Sequence, residues 1–488
     1  MKPQSESRAP SGVHPGLILT VACIAQFMVI LDVSVVLVAM PTIGSALHFP
    51  EADLQWIVSA YTVTFAGFLL LGGRAGDLLG RRRMFLVGIA LFSLASLLGA
   101  MANNDGLLIG ARALQGFGAA IVAPATLAII MTTFAEGQKR NRALGIWGMM
   151  AAVGGSSGVF LGGILIDGLG WRWIFLINVP IGVALMVGAW RVIGRDRELR
   201  HHQTFDFAGA LTITLGLIAI VFGIVSIDQH GWTSQQVLGG LLGGLIFVAV
   251  FVVIESRWAR EPLIPMSLFS SGTLAGANVV MVLIGASMFG IWFLLSLYLQ
   301  QVLGLSPLEA GVGFLPMTAM LALVSANTPK VIARFGTRNT LAIGLALIAI
   351  SAAMFTQISA DGSYAVDALA PMVFAAIGLG LAGVTATIAA VAGVSAHDAG
   401  LASGLVNTSR QMGGAVGLAI LTTVAALLTR GYVVDHPGAG ALSPEALTYG
   451  YRGAFVLAVV FAVFALIANL TLLRKAPAPV APPLPSEL

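Results

Sequence analysis

Long apolar runs alternate with short polar segments along most of the chain. Each run comes close to or exceeds the roughly twenty residues that cross the hydrocarbon core of a membrane as a helix. The pattern predicts about fourteen such helices, and an even number places both chain ends on one side. The predicted ranges are 17–40, 54–72, 84–102, 106–131, 143–165, 173–192, 207–227, 237–256, 274–299, 311–330, 340–358, 369–392, 403–428 and 453–473.

These helices predict an all-α polytopic membrane protein. The first run, from Leu17 to Ala46, is too long for the core of a signal peptide and lacks a cleavage site after it, so we expect it to be retained. Composition agrees, because 58% of the residues are apolar and 9% are charged, whereas a soluble domain carries about a quarter charged residues. A soluble globular fold is therefore excluded.

The polar segments divide the chain into five predicted parts. Two six-helix halves are separated by a charged linker with two extra helices, and short tails flank the whole. The ranges are 1–15 for the first tail, 16–193 for the first half, 194–260 for the linker and its helices, 261–475 for the second half and 476–488 for the proline-rich tail.

The charges predict the orientation of the bundle. In this register, the loops assigned to the cytoplasm hold most of the lysines and arginines, and the outer loops collect acids such as Glu51, Asp105 and Glu309. Short loops rich in Lys and Arg stay inside. We therefore predict a multi-pass protein of the inner (plasma) membrane, with both termini in the cytoplasm.

Several classes of chemistry lack the residues they need. Cys23 is the single cysteine, so no internal disulfide or thiolate metal cage is expected. His201 and His202 lie on the charged linker without further ligands, and we predict no metal site. No Gly-x-x-x-x-Gly-Lys phosphate loop is present, so ATP is not expected to drive the protein directly. We expect no cofactor, no nucleic-acid partner and a monomer, with a proton gradient as the energy source.

The segment from Gly72 to Arg83 stands between predicted helices 2 and 3 and is read as a loop of about a dozen residues. Its glycines predict a tight turn, and Asp77 could pair with the arginines or cap the start of a helix. One interpretation is a charge cluster that only sets orientation. The spacing Gly-x-x-x-Asp-x-x-Gly-Arg-Arg-Arg resembles the loop between helices 2 and 3 of the major facilitator superfamily of transporters. The resemblance implies conformational roles for Gly73, Asp77, Gly80 and Arg81.

An internal repeat fits two related halves. Pro50 and Pro307 each stand at the start of a predicted helix, about thirty residues before a basic loop. The second loop lacks the acid, because Ala333 occupies the place of Asp77. Two halves that rock about a site near the membrane midplane are typical of alternating access.

Asp32 lies inside the first apolar run. A charged carboxylate at that depth costs about 2.5 to 3.5 kcal/mol on insertion scales, so a purely structural role would be expensive. The alternative is a carboxylate near the outer helix end that reaches water. The segment from Leu31 to Pro41 resembles the first-helix motif of drug:proton antiporters. That resemblance implies that Asp32 handles protons.

Arg112 is a second charge inside a predicted helix. The segment from Leu108 to Ala120, which includes Gln115, is similar to the helix 4 motif that the superfamily associates with proton coupling. Arg112 would then sense whether Asp32 is charged, and Gln115 is a candidate contact for substrate. The alternative is a side chain that snorkels to the outer surface, roughly 9 Å away.

Predicted helix 5 carries glycines on one face at Gly154, Gly158 and Gly162, a pattern that favours close helix packing. It also resembles the helix 5 motif of the antiporters and so implies a gating role. The proline of that motif is Val159 here. Because that proline is taken to favour export, Val159 leaves proton-coupled uptake open as an alternative.

The segment from Trp171 to Pro180 predicts a membrane anchor, because tryptophans favour the interface. It also resembles the signature of the fourteen-helix drug:proton antiporter branch, the multidrug exporters. That branch would account for the two extra helices.

Two polar or aromatic stripes lie in the second half. In predicted helix 13 the stripe comprises Ser403, Asn407, Arg410, Gln411 and Gly414, which either bond neighbouring helices or contact substrate. In predicted helix 9 the aromatic residues are Phe289, Trp292 and Phe293, which either pack in the core or against lipid, or line a pocket for planar, often cationic compounds.

These observations predict a secondary transporter rather than an enzyme. It would export hydrophobic, drug-like or cationic compounds in exchange for protons. The alternatives are a proton-coupled uptake symporter and a non-transporting membrane receptor on the same scaffold.

Overall fold

The structure is a computed structural model, and it describes residues 15–49, 51–134, 138–194, 206–259, 262, 272–391, 399–438, 440 and 442–473. The two predicted tails fall almost entirely outside these ranges, as do His201 and His202. Within the helices, the side chains of Arg74, Asp77, Val159 and Ser403 also lie outside the described part.

The described residues form a bundle of long helices, which we number in chain order. Their bounds are α1 Pro15–Leu47, α2 Trp56–Leu79, α3 Arg81–Ala100, α4 Asp105–Thr133, α5 Gln138–Leu169, α6 Asn178–Val192, α7 Phe207–His230, α8 Gln235–Val253, α9 Gly272–Leu297, α10 Pro307–Phe335, α11 Thr337–Phe355, α12 Ala370–Val391, α13 Ala399–Asp435 and α14 Pro444–Leu472. Short helices at Glu51–Leu54 and Trp173–Leu176 precede α2 and α6. The all-α fold class is thus confirmed.

Among the described residues, 12 helices are long and apolar enough to cross a membrane. The other two long helices, α2 and α5, have shorter apolar stretches among those residues, at Trp56–Leu69 and Phe160–Leu169. The protein is therefore a multi-pass membrane protein, and the count of fourteen spans stays a prediction.

Side-chain caps fix where several helices begin. Asn104 caps α4 by accepting a hydrogen bond from the Leu107 amide, and Ser306 and Glu309 form a reciprocal capping box at the start of α10. Ser443 caps α14, which begins at Pro444 rather than at the predicted residue 453. The apolar pattern alone predicts a later start, because Glu445, Thr448 and Gly450 interrupt it in the first two turns of α14.

The segment between α2 and α3 is the main correction to the predicted fold. Helix α2 continues through Leu79 and α3 begins at Arg81, so the predicted loop of a dozen residues shrinks to Gly80. Gly80 has a φ of 101°, which other residues rarely adopt. Gly80, and not Asp77, occupies the N-terminal cap position of α3. Gly72 lies inside α2, where a Cβ would stand 2.1 Å from the Ala120 carbonyl oxygen, so it permits helix contact instead of a turn.

We call the end of the bundle that holds Arg81–Arg83 the basic end. Helices α1–α6 and α9–α14 pack as two halves that contact each other through α5 with α10 and α2 with α13. At the end opposite the basic end, the Ser296 hydroxyl donates to the Leu37 carbonyl at 3.2 Å and the Thr422 hydroxyl donates to Gln55. Close to these contacts, Gly163 of α5 lies directly against Leu308 of α10. Contacts between the halves therefore close the bundle at this opposite end.

Helices α7 and α8 form an antiparallel pair beside the halves. They pack tightly through Gly223 and Gly240, and α7 contacts both α2 and α13. The Thr423 hydroxyl of α13 donates to the Ile224 carbonyl of α7 at 3.3 Å. The pair thus lies against the seam between the two halves.

Candidate functional site

Asp32 and Arg112 form a salt bridge in the first half. Nη1 of Arg112 donates to Oδ2 of Asp32 at 2.5 Å, although α1 and α4 bring together residues 80 positions apart. Asp32 is 1% exposed and Arg112 is 0% exposed. The carboxylate does not reach water at the helix end, and the arginine does not snorkel, so both of the alternative placements considered from sequence are wrong.

Gln115 joins the pair from the next turn of α4. Its Nε2 donates to Oδ1 of Asp32 at 2.9 Å and to the Ser96 hydroxyl of α3 at 2.7 Å. Its Oε1 accepts from Nη1 of Arg112 at 2.8 Å. Gln115 therefore lies in the buried network that holds the salt bridge, where its expected contact with substrate stays a prediction.

Asn178, at the start of α6, is a member of the network that the sequence analysis missed. Its Nδ2 donates to Oδ1 of Asp32 at 2.8 Å, and the residue is fully buried. Its position within the segment from Trp171 to Pro180 was visible in the sequence, but apolar neighbours gave no signal that it faced Asp32. Ser96 was missed for the same reason.

Aromatic rings enclose the guanidinium of Arg112. Its Cζ lies 4.5 Å from the ring centroid of Tyr61 and 5.9 Å from that of Phe175, within cation–π range. Its Nε donates to the Ile57 carbonyl at 2.9 Å, while Nη2 has no partner among the described residues. A buried ion pair is tolerated only when further hydrogen bonds satisfy its atoms. Among the described residues, this network meets nearly all of that requirement and leaves the Nη2 donor of Arg112 and the Oδ1 acceptor of Asn178 unsatisfied.

The glycines of α5 hold α1 in place beside the pair. A Cβ on Gly158 would stand 1.9 Å from the Ser34 hydroxyl, and one on Gly154 would stand 3.2 Å from Ile30. Gly162 faces Val35, and the Ser34 hydroxyl donates to the Gly154 carbonyl at 3.2 Å. The predicted glycine face is thus confirmed as a packing surface, which lies against the turns of α1 on either side of Asp32.

The aromatic residues of α9 divide between core and partly exposed positions. The rings of Phe289 and Trp292 stack with centroids 6.4 Å apart, and both side chains are half-buried, whereas Phe293 is buried. Nε1 of Trp292 is buried without a hydrogen-bond partner among the described residues. Phe289 packs against Gly414 of α13, where a Cβ would stand 2.9 Å from its ring.

The polar stripe of α13 lies beside this aromatic pair. Nη2 of Arg410 donates to Oδ1 of Asn407 at 3.1 Å, and Ser409 donates to Oδ1 of Asn278 on α9 at 2.7 Å. Arg410 and Asn407 are half-buried and Gln411 is buried. Ser409 lies outside the predicted stripe and bonds α13 to α9, whereas the stripe members Asn407 and Arg410 keep accessible surface.

The remaining predicted positions lie apart from the salt bridge. Gly73 and Arg81 lie at the basic end with Gly80, and Asp77 belongs to the same segment of α2. No group of three or more His, Cys, Asp or Glu able to hold a metal ion occurs among the described residues.

Comparisons with known proteins agree on one family. The model of the Major Facilitator Superfamily matches residues 22–418. The cephamycin export protein CmcT of Amycolatopsis lactamdurans is 41% identical over 91% of this chain and 89% of that protein. The puromycin resistance protein pur8 of Streptomyces alboniger is 36% identical over 93% of this chain and 91% of that protein.

A solved structure shares the fold. It is a bacterial homologue of the human lysosomal transporter Spinster in an inward-facing, unoccupied conformation, with a TM-score of 0.68. The match covers 96% of this chain and 99% of that chain at 17% sequence identity. At that identity the likeness concerns the fold alone.

Proposed function

The chain belongs to the Major Facilitator Superfamily, and from this premise we propose that it exports small, largely apolar compounds across the plasma membrane in exchange for protons. Membership makes it a transporter rather than an enzyme. The names of the relatives support export of antibiotic-type molecules, since they include a cephamycin exporter and resistance proteins for puromycin and lincomycin.

The buried pair of Asp32 and Arg112 is the observation that carries the proton-coupling part of the proposal. Ionisable side chains inside membrane helices are costly and usually mark ion pathways or proton relays. Asp32 takes up a proton, loses its charge and releases Arg112 from the salt bridge. Arg112 keeps acceptors at the Ile57 carbonyl and at Gln115 Oε1, so its charge stays buried but hydrogen-bonded in either state.

Helix α1 links this proton site to the contact between the halves. The Leu37 carbonyl that accepts from Ser296 lies five residues after Asp32 on the same helix. The salt bridge fixes α1 to α4, and the glycines of α5 grip the same turns of α1. A change in the charge of Asp32 therefore acts on the helix that also holds the opposite end closed.

The basic residues beside the connection between α2 and α3 support an orientation of the bundle in the membrane. We place the basic end in the cytoplasm, because Arg81–Arg83 form the first turn of α3 next to the short connection at Gly80, and basic residues that flank short connections stay inside. In that orientation, the closed opposite end faces outward. A substrate would enter between the first and second halves, either from the cytoplasmic side or from the inner leaflet.

Uptake in symport with protons is the second candidate. It is favoured by Val159, which stands where the antiporter motif has a proline. In this case the same proton site would operate, and only the order of binding and release would differ.

Efflux from energised cells tests the proposal and separates the two directions. Cells that produce the protein are loaded with a cephamycin, puromycin or ethidium, and the intracellular amount is followed with and without a protonophore. Export predicts that at least one compound leaves faster than in cells with Asp32→Asn, and that the protonophore removes the difference. Accumulation above the control in energised cells would instead establish uptake, and equal rates with every compound would contradict transport of this class.

A further inference from the structure

Arg410 is a cation inside the second half that the proton-coupling network does not use. It lies roughly 9 Å along the apolar span that begins at Gly404. Helix α13 is surrounded by α9, α14, α2 and α7, so it is an inner helix of the bundle. An arginine at this place faces the interior or a cavity, because lipid offers its charge no partner.

Among the described residues, no acidic side chain neutralises the charge of Arg410. Its hydrogen bond goes to the neutral amide oxygen of Asn407, and no carboxylate of the described residues lies within ion-pair distance of it. In the first half, by contrast, Asp32 and Arg112 neutralise each other. Within the described part of the chain, the half-buried guanidinium therefore keeps donors without a partner and a positive charge without a counter-charge.

An apolar surface continues from Arg410 along α9 and α13. One turn after Arg410, Gly414 lies against the ring of Phe289, which stacks on Trp292. Gly285 of α9 contacts the Arg410 carbonyl, so the two helices are in direct contact at this level. Nε1 of Trp292 adds a buried donor without a partner among the described residues. The surface thus combines a cation, the Trp292 donor that lacks a partner among the described residues, and flat apolar rings.

We infer that this site takes compounds with an anionic group, foremost a carboxylate, which pairs with Arg410 while the apolar body lies against Phe289 and Trp292. The inference rests on the proposed transport function and names its substrate class. A guanidinium binds carboxylates through charge-assisted hydrogen bonds, whereas a cationic compound would be repelled. If the aromatic residues line a pocket, they alone favour planar, often cationic compounds, and Arg410 reverses that preference.

Binding of matched fluorescent probes to the purified full-length protein tests this inference. The probes are dansyl-phenylalanine, which is anionic at neutral pH, its neutral amide, and ethidium as a cation. The wild type is expected to bind the acid at least about tenfold more tightly than the amide, as for a charge-assisted hydrogen bond. Ethidium is expected to bind more weakly than the acid.

Variants assign the preference to Arg410. Arg410→Gln removes the charge and should bring the affinities for the acid and the amide to within about twofold, while Arg410→Lys should keep part of the difference. The control is Lys330→Gln, which removes an exposed charge whose partner among the described residues is Asn327, and which should keep the full preference. Trp292→Phe should weaken binding of the acid more than of the amide.

The wild type alone can overturn the inference, so it does not depend on the folding of any variant. Equal affinities for the acid and the amide, a preference for ethidium, binding of none of the probes, or an unchanged preference in Arg410→Gln would each do so. Failure of the proposed transport function can be distinguished from failure of this inference. Asp32→Asn should lose proton-dependent transport and should still bind the acid more tightly than the amide. A protein that prefers the acid but shows no proton-dependent transport would refute only the proton coupling.

Discussion

The amide nitrogen of Asn178 lies 2.8 Å from Oδ1 of Asp32, the carboxylate whose other oxygen binds Arg112. Asn178 begins α6, so the carboxylate of α1 is bonded to both α4 and α6. Oδ1 of Asn178 has no partner among the described residues. The geometry makes Asn178 a positioning residue for the proton site.

Replacing Asn178 should slow transport and lower stability. Asn178→Leu removes the hydrogen bond that joins the Asp32 carboxylate to α6, and a hydrogen bond to a charged group contributes about 1.5–3 kcal/mol. The measurements are the initial rate of export in everted vesicles and the unfolding temperature in detergent, and both should fall. Asn178→Gln is the matched variant, which keeps the donor. An Asn178→Leu protein that exports at the wild-type rate would contradict the assignment.

The salt bridge should appear as strong coupling in a double-mutant cycle. Arg112→Met leaves Asp32 buried without its cation, and removing one partner of a buried pair costs about 3–5 kcal/mol. Asp32→Leu with Arg112→Met removes both charges. The double variant should therefore unfold at a higher temperature in detergent than Arg112→Met alone. If the loss of unfolding temperature in the double variant equals the sum of the losses in the two single variants, the charges act independently and the account is contradicted.

The glycine surface of α5 predicts a position-specific loss of stability. Gly158→Ala brings a Cβ to 1.9 Å from Ser34 and 2.7 Å from the Leu31 carbonyl, so α1 must move away beside Asp32. Overpacking of this kind costs about 1–3 kcal/mol. We expect a lower unfolding temperature and slower export.

Gly110→Ala is the control for this substitution, because nothing lies within 4 Å of a Cβ at Gly110 in α4. It should leave the unfolding temperature unchanged or raise it. Equal behaviour of the two alanine variants would mean that close contact between α1 and α5 is not required.

Asp53, in the short helix before α2, gives the protein a pH-dependent stability. Burial and then repulsion from Asp105 raise the pKa of the Asp53 carboxyl above its usual 3.8. A carboxyl with a raised pKa in the folded state opposes folding once it is charged, so stability falls as pH rises from about 4 through that raised pKa. Asp53→Asn should remove this part of the dependence, and unfolding temperatures from pH 4 to 7 measure it. Curves of unfolding temperature against pH that run parallel for the wild type and Asp53→Asn would contradict the effect.

The sequence predicted the helices better than the residues that meet between them. Twenty-residue apolar runs specify spans, and the intramembrane charges at Asp32 and Arg112 were conspicuous because burial makes them expensive. Asn178 and Ser96 were not conspicuous, since neutral polar residues are common in membrane helices. Only the packing of α3, α4 and α6 around α1 brings Asn178 to Asp32 and Ser96 to Gln115. The turn at Gly80 was misjudged for a local reason, because glycines that allow close helix packing look like glycines that allow a turn.

Proton movement driven by substrate is the most direct test of the central claim, that Asp32 couples proton transfer to export. The purified protein is placed in liposomes that contain a pH-sensitive dye, and an outward gradient of a compound that the wild type exports is applied. The wild type should move protons against the flow of the compound, and Asp32→Asn should carry the compound down its gradient without moving protons. Proton movement of equal size in Asp32→Asn would contradict the account.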